Sequence, residues 1–208
     1  MQNLKNIAVG FLVSFIGSVP LGYLNVIGFQ IYEKSGISPT TQYLFGVICI
    51  EFFVIYGTLI FAHKLAANTK LTKYIEGFSI VFMLLLAFIF YANAHSKSDF
   101  STTFTYAPFL LGLAVSGLNF IQIPFWTGWN LYLLNGNHIE VSGKRKYFYV
   151  TGTVGGTFSG MLALILSLHY FADNVDFLSH YLMQVIIPLV FLGLGILQAI
   201  KFYRKYNT

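Results

Sequence analysis

Charge is what this sequence has least of: Asp, Glu, Lys and Arg make up 9% of its 208 residues, where a soluble domain carries about 25%. That shortage excludes an ordinary solvated surface. Cysteine is nearly absent as well. The single Cys49 excludes a disulfide framework and a cysteine-based metal cluster. No small-residue cleavage site follows the first apolar run, so no removable signal peptide is expected. Paired acidic motifs and a His-Glu-x-x-His pattern are missing too, so the chain is not expected to be an enzyme. The formal net charge of +5 comes from residues at the ends of apolar runs, not from a basic stripe, and no nucleic-acid partner is expected.

What is present is apolar length. Hydrophobic residues make up 56% of the chain and the mean hydropathy is +0.70. Six apolar segments lie at about residues 7–31, 40–62, 74–93, 106–134, 148–171 and 181–202. Each approaches or exceeds the roughly 20 residues that cross a bilayer as a helix. The loops between them are short, so residues 1–208 are read as one membrane domain: an all-α integral membrane protein of six transmembrane helices. With six spans, ten Lys and Arg residues fall on the side of the two termini and only Lys34 and Lys97 on the other. Positive residues stay inside, so both termini of this multi-pass chain are expected in the cytoplasm. The run Lys144–Arg145–Lys146 is read as part of this signal, with a lipid-headgroup site as the second reading.

Glu51 stands near the middle of the second segment. A charged group there costs about 2.5–3.5 kcal/mol on insertion scales, so it marks either a polar cavity or a hydrogen-bonded helix contact. We expect the cavity, with Glu51 holding a substrate ammonium group or carrying a coupling proton.

The two halves of the chain, about residues 1–95 and 105–208, resemble each other weakly. Pro20, Gly22 and Asn25 in the first span match Pro124, Gly128 and Asn130 in the fourth. Gly46 precedes Glu51-Phe52 by five residues, as Gly152 precedes Thr157-Phe158. Three spans per half would invert the second half, an arrangement that places a substrate site near the midplane at interrupted helices. Helix breaks are expected at Pro20 and Gly22 and, in the long fourth span, near Gly117 or Pro124. The clustered side chains Asn25, Asn119, Gln122, Asn130 and Trp126 are expected to share the site with Glu51. Trp126 and Trp129, three apart, lie near one helix face. One reading has either wall the pathway or stack on a cationic substrate, and the other has both as lipid-facing or packing residues.

The stretch GSVPLGYLNVIGFQ, residues 17–30, together with Gly36, Gly46 and Glu51, the segment LNFIQIPFWTGW, residues 118–129, and the glycines Gly152, Gly155, Gly156, Gly160, Gly193 and Gly195, resembles the lysine exporter (LysE) family over nearly the full chain. Three departures stand out. Pro20-Leu21-Gly22 replaces the family's Pro-Gly-Pro, Phe120 replaces a proline after Asn119, and Glu51 stands where many relatives have Asp. The resemblance implies efflux of amino acids or related small polar solutes, usually driven by the proton gradient. The partners it implies are the solute, the proton gradient and the lipid bilayer, with a homo-oligomer left open.

Other readings weigh less. A divalent-cation exporter needs several oxygen ligands, yet Glu51 is the one clear intramembrane acid, and the five histidines stand at span ends or in loops. No metal site and no cofactor is therefore expected. A membrane-embedded enzyme lacks a catalytic set. An assembly protein could use the glycine face from Gly152 to Gly160, which is expected to pack within the fold instead.

Overall fold

The computed structural model describes residues 2–18, 22–67, 107–174 and 187–206, with scattered helical positions between 70 and 91. Its elements are α1 (Gln2–Ser18), α2 (Tyr23–Ser35), α3 (Ile37–Ala67), α4 (Pro108–Gly117), α5 (Gln122–Asn135), α6 (Arg145–Asn174) and α7 (Ile187–Tyr206), and no strand occurs among the described residues. Two helices are each long and apolar enough to cross a membrane, over Ile37–Ala62 and Arg145–Phe171. Two bent pairs pass the same test jointly, α1 with α2 at 77° and α4 with α5 at 72°. The described residues thus hold two to four membrane-crossing units. The expected segment at 74–93 lies largely outside them, and that at 181–202 begins outside them and continues as α7.

Local chemistry sets the ends of these helices. Pro39 and Pro108 stand in the first turns of α3 and α4, where a missing N–H leaves no helical bond unmade. Between α2 and α3, Gly36 takes a φ of +78°, a conformation that a β-carbon opposes. Its N–H closes on the Tyr32 carbonyl at 2.8 Å.

Small residues then set which helices meet. Along α6, Gly152, Gly156 and Gly160 face the backbone of α1 at Ile7, Phe11 and Phe15 in that order, so the two helices run parallel. A methyl group added at Gly152 would stand 2.7 Å from the Ile7 Cα, and one at Gly10 would stand 2.6 Å from the Tyr149 carbonyl oxygen. The same device joins α3 to α4: Gly46 faces Phe109 and Leu113, while Gly112 faces Tyr43 and Val47. In hydrocarbon there is no hydrophobic drive between helices, so such close approaches supply the van der Waals contact that holds them together.

Helices α3 and α6 cross antiparallel between two buried clusters. In one, Tyr43, Leu44 and Val47 of α3 meet Met161 and Ile165 of α6 and pack on Val26 and Phe29 of α2. In the other, Ile55 and Leu59 of α3 meet Tyr149 and Val150 of α6 and pack on Trp126 and Leu133 of α5. The residues between the clusters, Glu51 on α3 and Thr157 on α6, face a cavity.

Candidate functional site: a cavity between two broken helices

Both bent pairs break beside this cavity. Helix α4 ends at Gly117, and residues 118–121 turn tightly, with Asn119 N–H on the Ser116 carbonyl at 3.0 Å and Gln122 N–H on the Asn119 carbonyl at 3.2 Å. A helix end leaves carbonyls without partners. Here an amide side chain from the following half-helix reaches back: Gln122 Nε2 donates to the Ser116 carbonyl at 3.0 Å. The other pair is stitched alike, since Asn25 Nδ2 donates to the Ser18 carbonyl, the last of α1, at 2.9 Å. Each amide thereby fastens the second half-helix to the first while its own helix begins at the cavity.

The cavity has a volume of about 260 Å³, the space of roughly nine waters at about 30 Å³ each. Its floor is Glu51 from the middle of α3, with Asn119 from the break, Gln122 and Trp126 from α5, and Thr157 from α6. Gly22 and Asn25 line it from the start of α2. Neither α2 nor α5 has a side-chain cap on its N-terminal N–H groups. At α5 the N–H groups of Gln122, Ile123 and Phe125 already close on the carbonyls of Asn119, Phe120 and Ile121, so it is the start of α2 whose macrodipole favours negative charge in this space.

The carboxylate is held on one side only. Trp126 Nε1 donates to Glu51 Oε1 at 3.2 Å, and Trp126 is itself 2% exposed, so the indole is a fixed wall. Thr157 lies against the same carboxylate, and its hydroxyl pairs with that of Ser14 at 2.5 Å. Glu51 Oε2 has no hydrogen-bond partner and is cut off from solvent, and so is Asn119 Oδ1. A buried acceptor left unpaired costs about 1–3 kcal/mol, more when charged. Two such oxygens on one cavity make a surplus of acceptors. The occupant that offsets it must bring hydrogen-bond donors or positive charge. No Lys, Arg or His lines the cavity among the described residues.

The sequence expectations divide here. Gly22, Asn25, Glu51, Asn119, Gln122 and Trp126 all line the cavity, and Gly117 ends α4. Pro20 lies outside the described residues. Pro124 departs from expectation: it is the third residue of α5 and breaks nothing, because a first-turn proline has no helical N–H bond to lose. Asn130 departs as well. It is fully buried away from the cavity, where its Oδ1 accepts from the Tyr149 hydroxyl at 2.8 Å and its Nδ2 donates to Thr58 Oγ1 at 3.1 Å. The counterpart of Asn25 in stitching a break is thus Gln122. Trp129 packs edge-on to Tyr132 instead of lining the cavity. Thr157 and Ser14 were not among the expected site residues. The signal for Thr157 was present, since it follows Gly152 by five residues as Glu51 follows Gly46.

Comparison with protein-family models, with curated proteins and with solved structures finds no match to this chain.

Proposed function

We propose that this chain is a secondary transporter that exports amino acids or related small polar solutes across the bacterial cytoplasmic membrane in exchange for protons, and that it is a divergent lysine exporter family protein. The observation that carries this reading is the pair of unpartnered acceptors, Glu51 Oε2 and Asn119 Oδ1, on one cavity between two broken helices. A primary ammonium group brings three donors and a positive charge, which meets that surplus. The uncapped start of α2 turns the positive end of its macrodipole toward the cavity, where the solute's carboxylate would lie. A proton and an ammonium group compete for one carboxylate. Release of the solute outward would leave Glu51 open to a proton, and the returning proton would leave it open to the next solute.

The same reading has six spans in two inverted repeats with both termini cytoplasmic. Pairs 106 residues apart support it: Tyr43 and Tyr149, Gly46 and Gly152, Glu51 and Thr157, Ile55 and Met161, Leu59 and Ile165. Their contacts correspond as well, since the glycine of α4 meets Tyr43 and Val47 as the glycine of α1 meets Tyr149 and Thr153. Alternating access then amounts to rocking one half against the other around the cavity.

The test is flux in liposomes. Purified protein should move a labelled neutral amino acid against an imposed pH gradient, and collapse of that gradient by an ionophore should stop accumulation. Glu51→Gln keeps the size and the indole hydrogen bond but removes the charge, and it should leave the protein folded while lowering coupled flux by about tenfold to a hundredfold. Unchanged, pH-insensitive flux in this variant would overturn the assignment of Glu51.

A further inference from the structure

At the Lys/Arg-rich end of the molecule, the outer face of α3 and α6 carries an aromatic ladder that ends on a cation. Phe52 stacks on Tyr56 at 6.3 Å with 3° between the planes, and Tyr56 stacks on Tyr147 at 5.8 Å with 11°. The Lys146 ammonium stands 5.6 Å from the Tyr56 ring centre and 5.5 Å from that of Tyr147, within the range at which a ring face attracts a cation. Lys146 pairs with no carboxylate among the described residues, unlike its neighbour Arg145, which pairs with Glu140. The Ser142 hydroxyl and Arg145 together hold the Glu140 carboxyl below its usual range, so the acid of this loop is already engaged. Below the cation, Phe53 is 70% exposed and Phe52 37%.

We propose that Lys146, Tyr56 and Tyr147 bind the phosphate headgroup of an anionic phospholipid, with an acyl chain lying along Phe52 and Phe53. The charge supplies the affinity. The phenols offer hydroxyls at the depth where aromatic residues meet the membrane–water interface, and the exposed phenylalanines extend into the depth where a chain must lie. A free phosphate would use the cation and hydroxyls but gain nothing from the ladder. This site depends on the chain spanning a membrane and is independent of what the cavity transports.

Native mass spectrometry of the full protein, with equimolar phosphatidylglycerol and phosphatidylcholine, tests it. The wild type should retain phosphatidylglycerol preferentially. Lys146→Gln should cut that preference about fivefold, the effect of one lysine at a membrane surface, while Lys146→Arg should keep it. Lys201→Gln, which removes an exposed cation from α7, should change nothing. An unchanged preference in Lys146→Gln would overturn the site, and so would an equal loss in Lys201→Gln, which would mean diffuse surface charge. Competition by glycerol phosphate as strong as that of the whole lipid would overturn the lipid and leave a phosphate site.

Discussion

The two buried clusters on either side of the cavity use matching helices but are fastened differently. Beside α2, the Tyr43 hydroxyl ends on a backbone oxygen, that of Leu24, at 2.9 Å. Beside α5, the Tyr149 hydroxyl ends on the side chain of Asn130, which passes the bond on to Thr58, joining three helices in one buried network. The helix ends differ in the same sense. Near α5, Asn6 is fully buried and donates to the Glu140 and Arg145 carbonyls at 2.7 and 3.1 Å, pinning the loop between α5 and α6 to α1. Near α2, the corresponding tie is a partly exposed pair, His169 Nδ1 with Glu33 Oε1 at 2.6 Å. A fully satisfied buried network is costly to break because every member loses a partner in a low-dielectric surrounding. A solvent-exposed side-chain pair costs little to break. The α5 end of the cavity is therefore the more firmly closed, and opening is expected first at the α2 end.

The largest effect is expected between the clusters, where Glu51 and Thr157 face one cavity. On the transporter reading, Glu51→Gln should lower flux by tenfold to a hundredfold, on the order of one charged hydrogen bond. Thr157→Val, which removes a hydroxyl already paired with Ser14, should lower it by less than about tenfold. Equal losses in the liposome assay would mean that the two positions do the same work.

Next in size is the network itself. Asn130→Leu strands the Tyr149 hydroxyl and should destabilise the folded protein by about 1–3 kcal/mol. Tyr43→Phe, which gives up one bond to a backbone carbonyl, should cost about 0.5–1.5 kcal/mol. Thermal unfolding in detergent checks both, and a larger loss for Tyr43→Phe would reverse the ranking of the two ends. A comparable effect is expected at the glycine contacts. Gly152→Ala should cost about 1–3 kcal/mol by forcing α1 and α6 apart. Gly57→Ala, where nothing stands within 4 Å of the added methyl group, should be neutral or slightly stabilising, since alanine is the better helix former.

The smallest effects belong to the surface pairs. Glu33→Gln should change unfolding by less than about 1 kcal/mol, yet it should ease opening at the α2 end, read as faster labelling of a cysteine placed at Ser18. Glu140 is held below its usual range by Ser142 and Arg145. A carboxyl depressed in the folded state contributes stability that is present above its unfolded value and lost as pH falls through the folded one. Ser142→Ala should shift that acid loss toward higher pH in unfolding measured as a function of pH.

Much of this was legible in the residues alone. Hydrocarbon forces every backbone group to pair within its own segment, so composition and length suffice for the helices over 37–62 and 145–171. The cost of an isolated carboxylate singles out Glu51 wherever its helix turns, and a span too long for the bilayer announces a break, which came at Gly117. Asn130 and Pro124 were misread for one reason: similarity between halves aligns positions along a helix but not the contacts that each position makes.

Tertiary structure alone decided which polar groups converge. A soluble helix announces its inner face by contrast with water, but a membrane helix is apolar toward lipid and toward protein alike, so its sequence says little about how it is rotated. The rotation of α6 that turns Thr157 toward the cavity follows from glycines that let α1 approach at Ile7, Phe11 and Phe15, while Asn130 on α5 is held away from it by Tyr149 and Thr58. Likewise, that Asn25 and Gln122 both reach back to close the helix before them depends on bends of 77° and 72°. Those bends are settled by how the half-helices pack, because a free carbonyl takes whichever donor the packing brings within reach.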